Sequence, residues 1–216
     1  MLEELKEASE YIIKKIKEED PLILELEEFA RVHNVPIVTK EVAKYLEFVI
    51  KTHNVKNVLE VGTAIGYSGI LMARLIEKNG GVLTTIEIDE ERYNQAKENF
   101  AKAGLTNVKM ILGDATEEIE KLDDNFDFIF IDASKGQYKK FFEDSYKMLN
   151  DKGIVFIDNI MFRGYLYKEY PKRFKTIVRK LDEFIDYLYE NYDFTLLDFG
   201  DGVGLIYRNV IEENKK

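Results

Sequence analysis

Four short stretches hold oxygen-bearing side chains that a fold can bring together. The first is Glu60-Val-Gly62-Thr-Ala-Ile-Gly66-Tyr-Ser68. Glycines there let the backbone pass close to a ligand. A helix opening behind them aims free N–H groups at the same point. The spacing is G-x-x-x-G, without the G-x-G-x-x-G of a pyrophosphate cradle, which argues against a dinucleotide. Taken alone, the stretch is equally a tight turn with packing glycines. The second is Glu87 in Thr85-Ile-Glu87-Ile-Asp89. A carboxylate at the end of a second strand can accept both hydroxyl protons of a ribose. The two together point to an adenosine-type ligand, and Gly113-Asp114-Ala115 falls where an adenine edge would lie. The third and fourth are Asp132, in Phe130-Ile-Asp132-Ala-Ser-Lys135-Gly-Gln-Tyr138, and the pair Asp158-Asn159. Two carboxylates and an amide oxygen make a hard donor set, suited to Mg²⁺ or Mn²⁺ rather than Zn²⁺. Either aspartate by itself reads as a loop cap; a metal site requires that they converge.

The elements that must position these residues follow from apolar periodicity. Near-continuous apolar runs at 57–61, 82–88, 108–112, 126–131 and 153–157 read as strands buried on both faces. Helical patterns near 67–78, 90–103, 116–121 and 137–149 separate them, and a long helix follows at about 172–191. This β-α alternation implies a parallel sheet with right-handed crossovers, whose strand ends share one crevice. The runs 194–199 and 203–208 flank Gly200-Asp201-Gly202, a turn tight enough to make them antiparallel. Three helices come first. One spans residues 1–19 on Leu2, Leu5, Ile12, Ile13 and Ile16. The next starts at Asp20-Pro21 and ends before Val35-Pro36. The third is capped by Thr39. The expected organisation is one domain over 1–216, with an N-terminal helical layer (1–54) on a core (55–210).

A chain of 216 residues can bury a substantial core, and 14 Phe with 13 Tyr favour a packed body. With no cysteine, disulfides, thiolate metal sites and a Cys nucleophile are excluded. Charges interrupt the first twenty residues, so no signal peptide is expected. No run suits a bilayer span, and a cytoplasmic protein is the default expectation. The net charge of −10 argues against non-specific nucleic-acid binding. It hides a segment, Arg163 to Lys180, with seven basic residues and one acid. That run is either a solvated helix face or a phosphate-facing patch.

The strings VLEVGTAIGYSGI, TTIEID, FIFIDASKGQY and IDNIMFRG resemble the class I, cation-dependent O-methyltransferases, which include catechol and caffeoyl-CoA O-methyltransferases. The likeness runs in continuous order over roughly 35–208. VPI(V)TK, GTAIGYS, IDASKGQY, DN-x-x-F-x-G and the closing GDG are most similar to the bacterial tRNA 5-hydroxyuridine methyltransferases. The resemblance implies a Rossmann-like α/β fold with seven strands, mostly parallel, the last antiparallel, and extra N-terminal helices. It implies S-adenosylmethionine (SAM) as methyl donor and Mg²⁺, with Mn²⁺ possible. Gly62 and Gly66, in the stretch that begins at Glu60, would line the methionine end. Ser68 and the Val38-Thr39 backbone would hold its carboxylate. Glu87 would hold the ribose, and Asp114 and Ala115 the adenine. Asp132, Asp158 and Asn159 would hold the ion, with Asp132 and Lys135 at the reacting centre.

The expected reaction is methylation of 5-hydroxyuridine at the tRNA wobble position, in which O4 is the second chelating oxygen. Arg163, Lys172, Arg173 and Lys175 are the candidates for anticodon-stem phosphates, and Phe162, Tyr165 or Tyr167 for stacking on the base. The main rival is methylation of a small catechol-type or caffeoyl-CoA-like acceptor, which the same fold and metal would serve. A non-catalytic adenosine-binding module and an NAD(P) dehydrogenase rank below it. The family often forms dimers, and the apolar N-terminal helices make a homodimer the expectation. His33 and His53 have no assigned role.

Overall fold

The computed structural model describes residues 2–209. Met1 and 210–216, which the single-domain reading includes, lie outside the described residues, as do the side chains of Leu2 and Leu5. Three helices lead: α1 (Leu2–Lys15), α2 (Pro21–His33) and α3 (Lys40–Thr52). Helix α1 stops at Lys15, short of the expected end at residue 19. Helix α2 starts as its sequence dictates. Asp20 accepts the N–H groups of Leu22 and Ile23, and Pro21 opens the first turn. Thr39 stands at the start of α3, but its hydroxyl makes no capping bond.

The core alternates β1 (Asn57–Val61), α4 (Tyr67–Glu77), β2 (Val82–Glu87), α5 (Glu90–Lys102), β3 (Val108–Leu112), α6 (Ala115–Glu118), β4 (Phe126–Ile131), α7 (Tyr138–Tyr146) and β5 (Leu149–Ile157). Helix α8 (Lys175–Asn191), β6 (Asp193–Leu197) and β7 (Val203–Tyr207) complete it. The seven strands form one sheet in the order β3-β2-β1-β4-β5-β7-β6. Strands β1 to β5 pair in parallel, from the β3 edge inward, and β7 is antiparallel to both β5 and β6. Strand β5 begins four residues before the expected 153. Leu149 pairs with Phe126 ahead of a register shift, where Lys152 takes φ +63°. The turn-forming run Asn150-Asp151-Lys152-Gly153 hides this bulge from a sequence reading.

Side-chain alternation divides the core into two layers. Phe128, Phe130 and Phe156 pack with Leu46, Ile70 and Ala96 on the side of α3, α4 and α5. Ile129, Ile131 and Val155 pack with Phe142, Phe184 and Leu188 on the side of α7 and α8. Successive strand residues face opposite sides, so a strand buried on both reads as a near-continuous apolar run. The strand order reverses between β1 and β4, which places the crevice at their carboxyl ends. No helix among the described residues is long and apolar enough to cross a membrane.

Candidate active site

A cleft of about 560 Å³ opens at that reversal, within the roughly 300–1,000 Å³ usual for small-molecule sites. Val38, Gly62, Ser68, Glu87, Asp114, Ala115, Asp132, Lys135, Asn159 and Arg163 all line it. Residues spread over 125 positions of sequence therefore meet at one edge of the sheet, as the strand-tip argument requires.

The loop after β1 is shaped by close approach. Gly62 has φ +101°, and a Cβ there would stand 2.2 Å from the Asp132 carbonyl oxygen. Only glycine lets β1 turn this tightly against the tip of β4. Ala64 also has positive φ, +47°, and its N–H donates to Glu87 Oε2 at 2.8 Å. The other Glu87 oxygen accepts the Asp89 N–H at 3.0 Å. Glu87 thus braces the loop while lining the cleft. Asp114 caps α6 by accepting the Thr116 N–H and hydroxyl at 2.9 and 2.8 Å.

Three expected ligand contacts sit elsewhere. Gly66 turns against α5, with Phe100 and Ala96 beside it. Thr39 lines a neighbouring groove with Tyr67 and Lys40. Glu60 is fully buried, and its oxygens accept the hydroxyls of Ser68 and Thr85, each at 2.6 Å. Burial pushes the Glu60 carboxyl up to about 7, against the pull of those hydroxyls. Its role is to set Ser68 and, through Thr85, the adjacent Thr63 hydroxyl at 2.6 Å. Val58 to Val61 are all buried, and the apolar run gives no hint that the acid within it finds its own hydroxyl partners.

At the tips of β4 and β5 the acids converge. Asn159 Nδ2 donates to Asp158 Oδ2 at 2.8 Å and lies 3.5 Å from Asp132 Oδ1. Lys135 Nζ is 3.4 Å from the same Asp132 oxygen. Asp158 is 1% exposed. Burial, and then the Asp132 charge, raise its carboxyl to about 8. Beside them Tyr138, fully buried, donates its hydroxyl to the Asp158 carbonyl at 2.9 Å.

Asp201, read from sequence only as part of a turn, faces the cleft. Both its oxygens lie 2.6 Å from the Arg163 N–H. Desolvation raises its carboxyl above the ordinary range, opposed by that bond and by Lys135. Phe162 lines the cleft. Tyr165 does not join it there; it packs on Phe162 and stacks on Phe174 at 5.4 and 5.5 Å between ring centres. Tyr167 is solvent-exposed, with Lys168 over its ring at 5.1 Å. Of the basic candidates, Arg163 is at the cleft, whereas Lys172, Arg173 and Lys175 are exposed where α8 begins.

The O-methyltransferase family profile matches residues 14–209 of this chain. The chain belongs to the O-methyltransferase family. It is 34% identical to the catechol O-methyltransferase of Niastella koreensis over 61% of its length and 62% of that protein's. It is 30% identical to tapetum-specific methyltransferase 1 of Arabidopsis thaliana, over 76% and 74% respectively. Among solved structures, a Staphylococcus aureus protein provisionally assigned as a caffeoyl-CoA O-methyltransferase superimposes with TM-score 0.86 at 33% identity, covering 94% of this chain and 99% of that one. The Podospora anserina methyltransferase PaMTH1, solved bound to SAH, superimposes with TM-score 0.84 at 25% identity, covering 94% of both.

The donor set in this O-methyltransferase fits a divalent cation. Two carboxylates meet beside Lys135, and burial, followed by the Asp132 charge, raises the Asp158 carboxyl. Among the described residues no three His, Cys, Asp or Glu side chains cluster as a metal site. An ion would therefore rest on Asp132, Asp158 and the amide oxygen of Asn159. As placed, Asn159 turns its NH₂ to the acids, and the ligand role calls for the amide rotated by half a turn.

Proposed function

We propose that this O-methyltransferase transfers a methyl group from SAM to a hydroxyl oxygen that has a second oxygen beside it. The observation that carries the reading is the meeting of Asp132, Asn159 and Lys135 in a cleft that Glu87 and Asp114 also line, with Asp158 buried against Asn159. Glu87 suits the ribose hydroxyls, Asp114 and Ala115 the adenine, and the Gly62 loop with Val38 and Ser68 the methionine end. Ser68 gives its proton to Glu60, so its lone pairs face the cleft and match an ammonium better than a carboxylate. A divalent ion held by Asp132, Asp158 and Asn159 supplies Lewis-acid polarisation of the acceptor hydroxyl when bound. Lys135 presents an ammonium, a donor without an acceptor site, and stabilises negative charge developing on the acceptor oxygen. Phe162 and Arg163 flank the mouth and orient the acceptor.

For the acceptor we favour 5-hydroxyuridine at the tRNA wobble position. Its support is the run from Arg163 to Lys180, with seven basic residues and one acid in a chain of net charge −10. The helix macrodipole makes cations unfavourable at a helix N-terminus, yet Lys172, Arg173 and Lys175 sit there with no acid in the first turn. An external polyanion would offset that cost. The second reading is a small catechol-type or caffeoyl-CoA-like acceptor, favoured by the names of the relatives. Labelled SAM, Mg²⁺ and enzyme are incubated with tRNA lacking the wobble modification and, separately, with a catechol. Label in tRNA alone supports the first reading, label in the catechol alone supports the second, and label unaffected by chelator in either refutes the metal.

We also read the N-terminal layer as a homodimer face. Ile12, Leu24, Val32 and Phe48 are exposed on α1 to α3, and light scattering of the purified chain tests it.

A further inference from the structure

We infer that Tyr138 is the positioning residue for Lys135, fixing the ammonium at the reacting end of the cleft; this rests on the reading that Lys135 acts there. Tyr138 opens α7 and is 1% exposed. A buried phenol needs partners for its hydroxyl. It has one proton, and that proton goes to the Asp158 carbonyl at 2.9 Å. Towards every other neighbour the oxygen can only accept. Lys135 Nζ lies 3.1 Å away, placed to donate to it.

Lys135 is thereby held at two points. One N–H meets the Tyr138 oxygen, and a second is directed at Asp132 Oδ1, 3.4 Å away. The third is left for the cleft that Lys135 lines. The spacing has a simple origin. Residues 135–137 form a 3₁₀ turn running into α7, and in such a turn side chains three apart eclipse one another. Tyr138 accordingly lies directly over Lys135, with Nζ 5.4 Å from its ring centre. Because the same hydroxyl holds the Asp158 carbonyl, it ties the lysine to the tip of β5, where Asp158 and Asn159 sit. A flexible four-carbon side chain is otherwise a poor means of placing a charge.

Tyr138→Phe keeps the ring and removes the oxygen. In the full-length enzyme, acetylation of each lysine by an amine-selective reagent is followed by mass spectrometry, with the exposed Lys139 and Lys140 as internal references. Lys135 should be modified several-fold faster than in wild type while the references are unchanged. With the acceptor that takes label in the experiment above, kcat should fall about tenfold, the loss of one charge-assisted hydrogen bond, with SAM affinity held. In a Lys135→Ala background the same change should cost nothing further. Unchanged Lys135 modification, or an undiminished kcat loss in that background, overturns the inference. If Lys135→Ala itself keeps full kcat, the role of Lys135 fails instead, and the modification rates still decide whether Tyr138 holds it. Tyr138→Met, which also fills the space without a hydroxyl, replaces Phe if the first variant does not fold.

Discussion

Glu60 and Lys135 show how much a single side chain's surroundings decide. Glu60 is 0% exposed, and ionising it costs desolvation that two hydroxyl donors do not fully offset. Its folded value of about 7 lies above the ordinary 4.5. Between those values the unfolded chain releases the proton and the folded chain keeps it, so stability falls as pH rises through the window and is level above it. From pH 5 to pH 8 the wild type should lose about 2–3 kcal/mol more than Glu60→Gln, since each tenfold difference in proton affinity between the folded and unfolded chain is worth about 1.4 kcal/mol. Urea unfolding at both pH values measures this, and parallel curves for the two proteins would refute it. Lys135 is the opposite case, a charge kept at the cleft by Asp132 and Tyr138. Lys135→Ala should lower kcat about 10²-fold or more, while calorimetry finds SAM affinity nearly unchanged. Equal losses in both would mark a structural lysine.

At the scale of elements, the loop from Asn159 to Gly164 is the most strained part of the site. Asn159, Phe162 and Arg163 have φ of +56°, +46° and +61°, and Gly164 follows at +71°. Each non-glycine residue there costs about 1 kcal/mol or more. The β6–β7 turn holds the loop in place. Asp201 takes the Arg163 N–H, its carbonyl takes the Met161 N–H, and the Gly202 carbonyl takes the Ile160 N–H. Asp201→Ala should release this clamp, speeding amide exchange at 160–164 and raising the KM for acceptor several-fold, while exchange in the Gly62 loop stays as in wild type. Unaltered exchange at 160–164 would show that the turn does not hold the loop. Gly62→Ala tests the other side of the cleft. A methyl group 2.2 Å from the Asp132 carbonyl must push β1 and β4 apart, and SAM binding measured by calorimetry should be lost.

For the whole molecule, the relevant quantity is the separation of charge. A chain of −10 repels a polyanion everywhere except along its basic segment, so contact with tRNA would be confined to the face carrying α8. Reversing Arg173 and Lys175 to Glu should weaken methylation of tRNA at least tenfold at moderate salt and flatten its salt dependence, yet leave a catechol's rate unaltered. Neither residue lines the cleft, so equal losses on both acceptors would mean that the change acts on the fold. The same layout explains how legible the site was in sequence. Glu87, Asp114, Asp132, Asp158 and Asn159 each end an apolar run or begin the turn after one, and a parallel sheet gathers strand ends. Asp201 and Tyr138 gave no such signal, one lying in a turn and the other at a helix start.

Sequence alone determined the strands, their parallel winding and which residues stand at their tips. Burial on both faces favours near-continuous apolar runs, and the polar and turn-forming residues after each run mark its end. What only the tertiary structure decided was direction and partnership. Glu60 looks like a ligand contact until its oxygens are seen to hold Ser68 and Thr85. Gly66 proves to serve α5, and of the three aromatics offered for stacking only Phe162 reaches the cleft. A hydrogen bond depends on angstroms between residues far apart in the chain, and no local pattern encodes that distance.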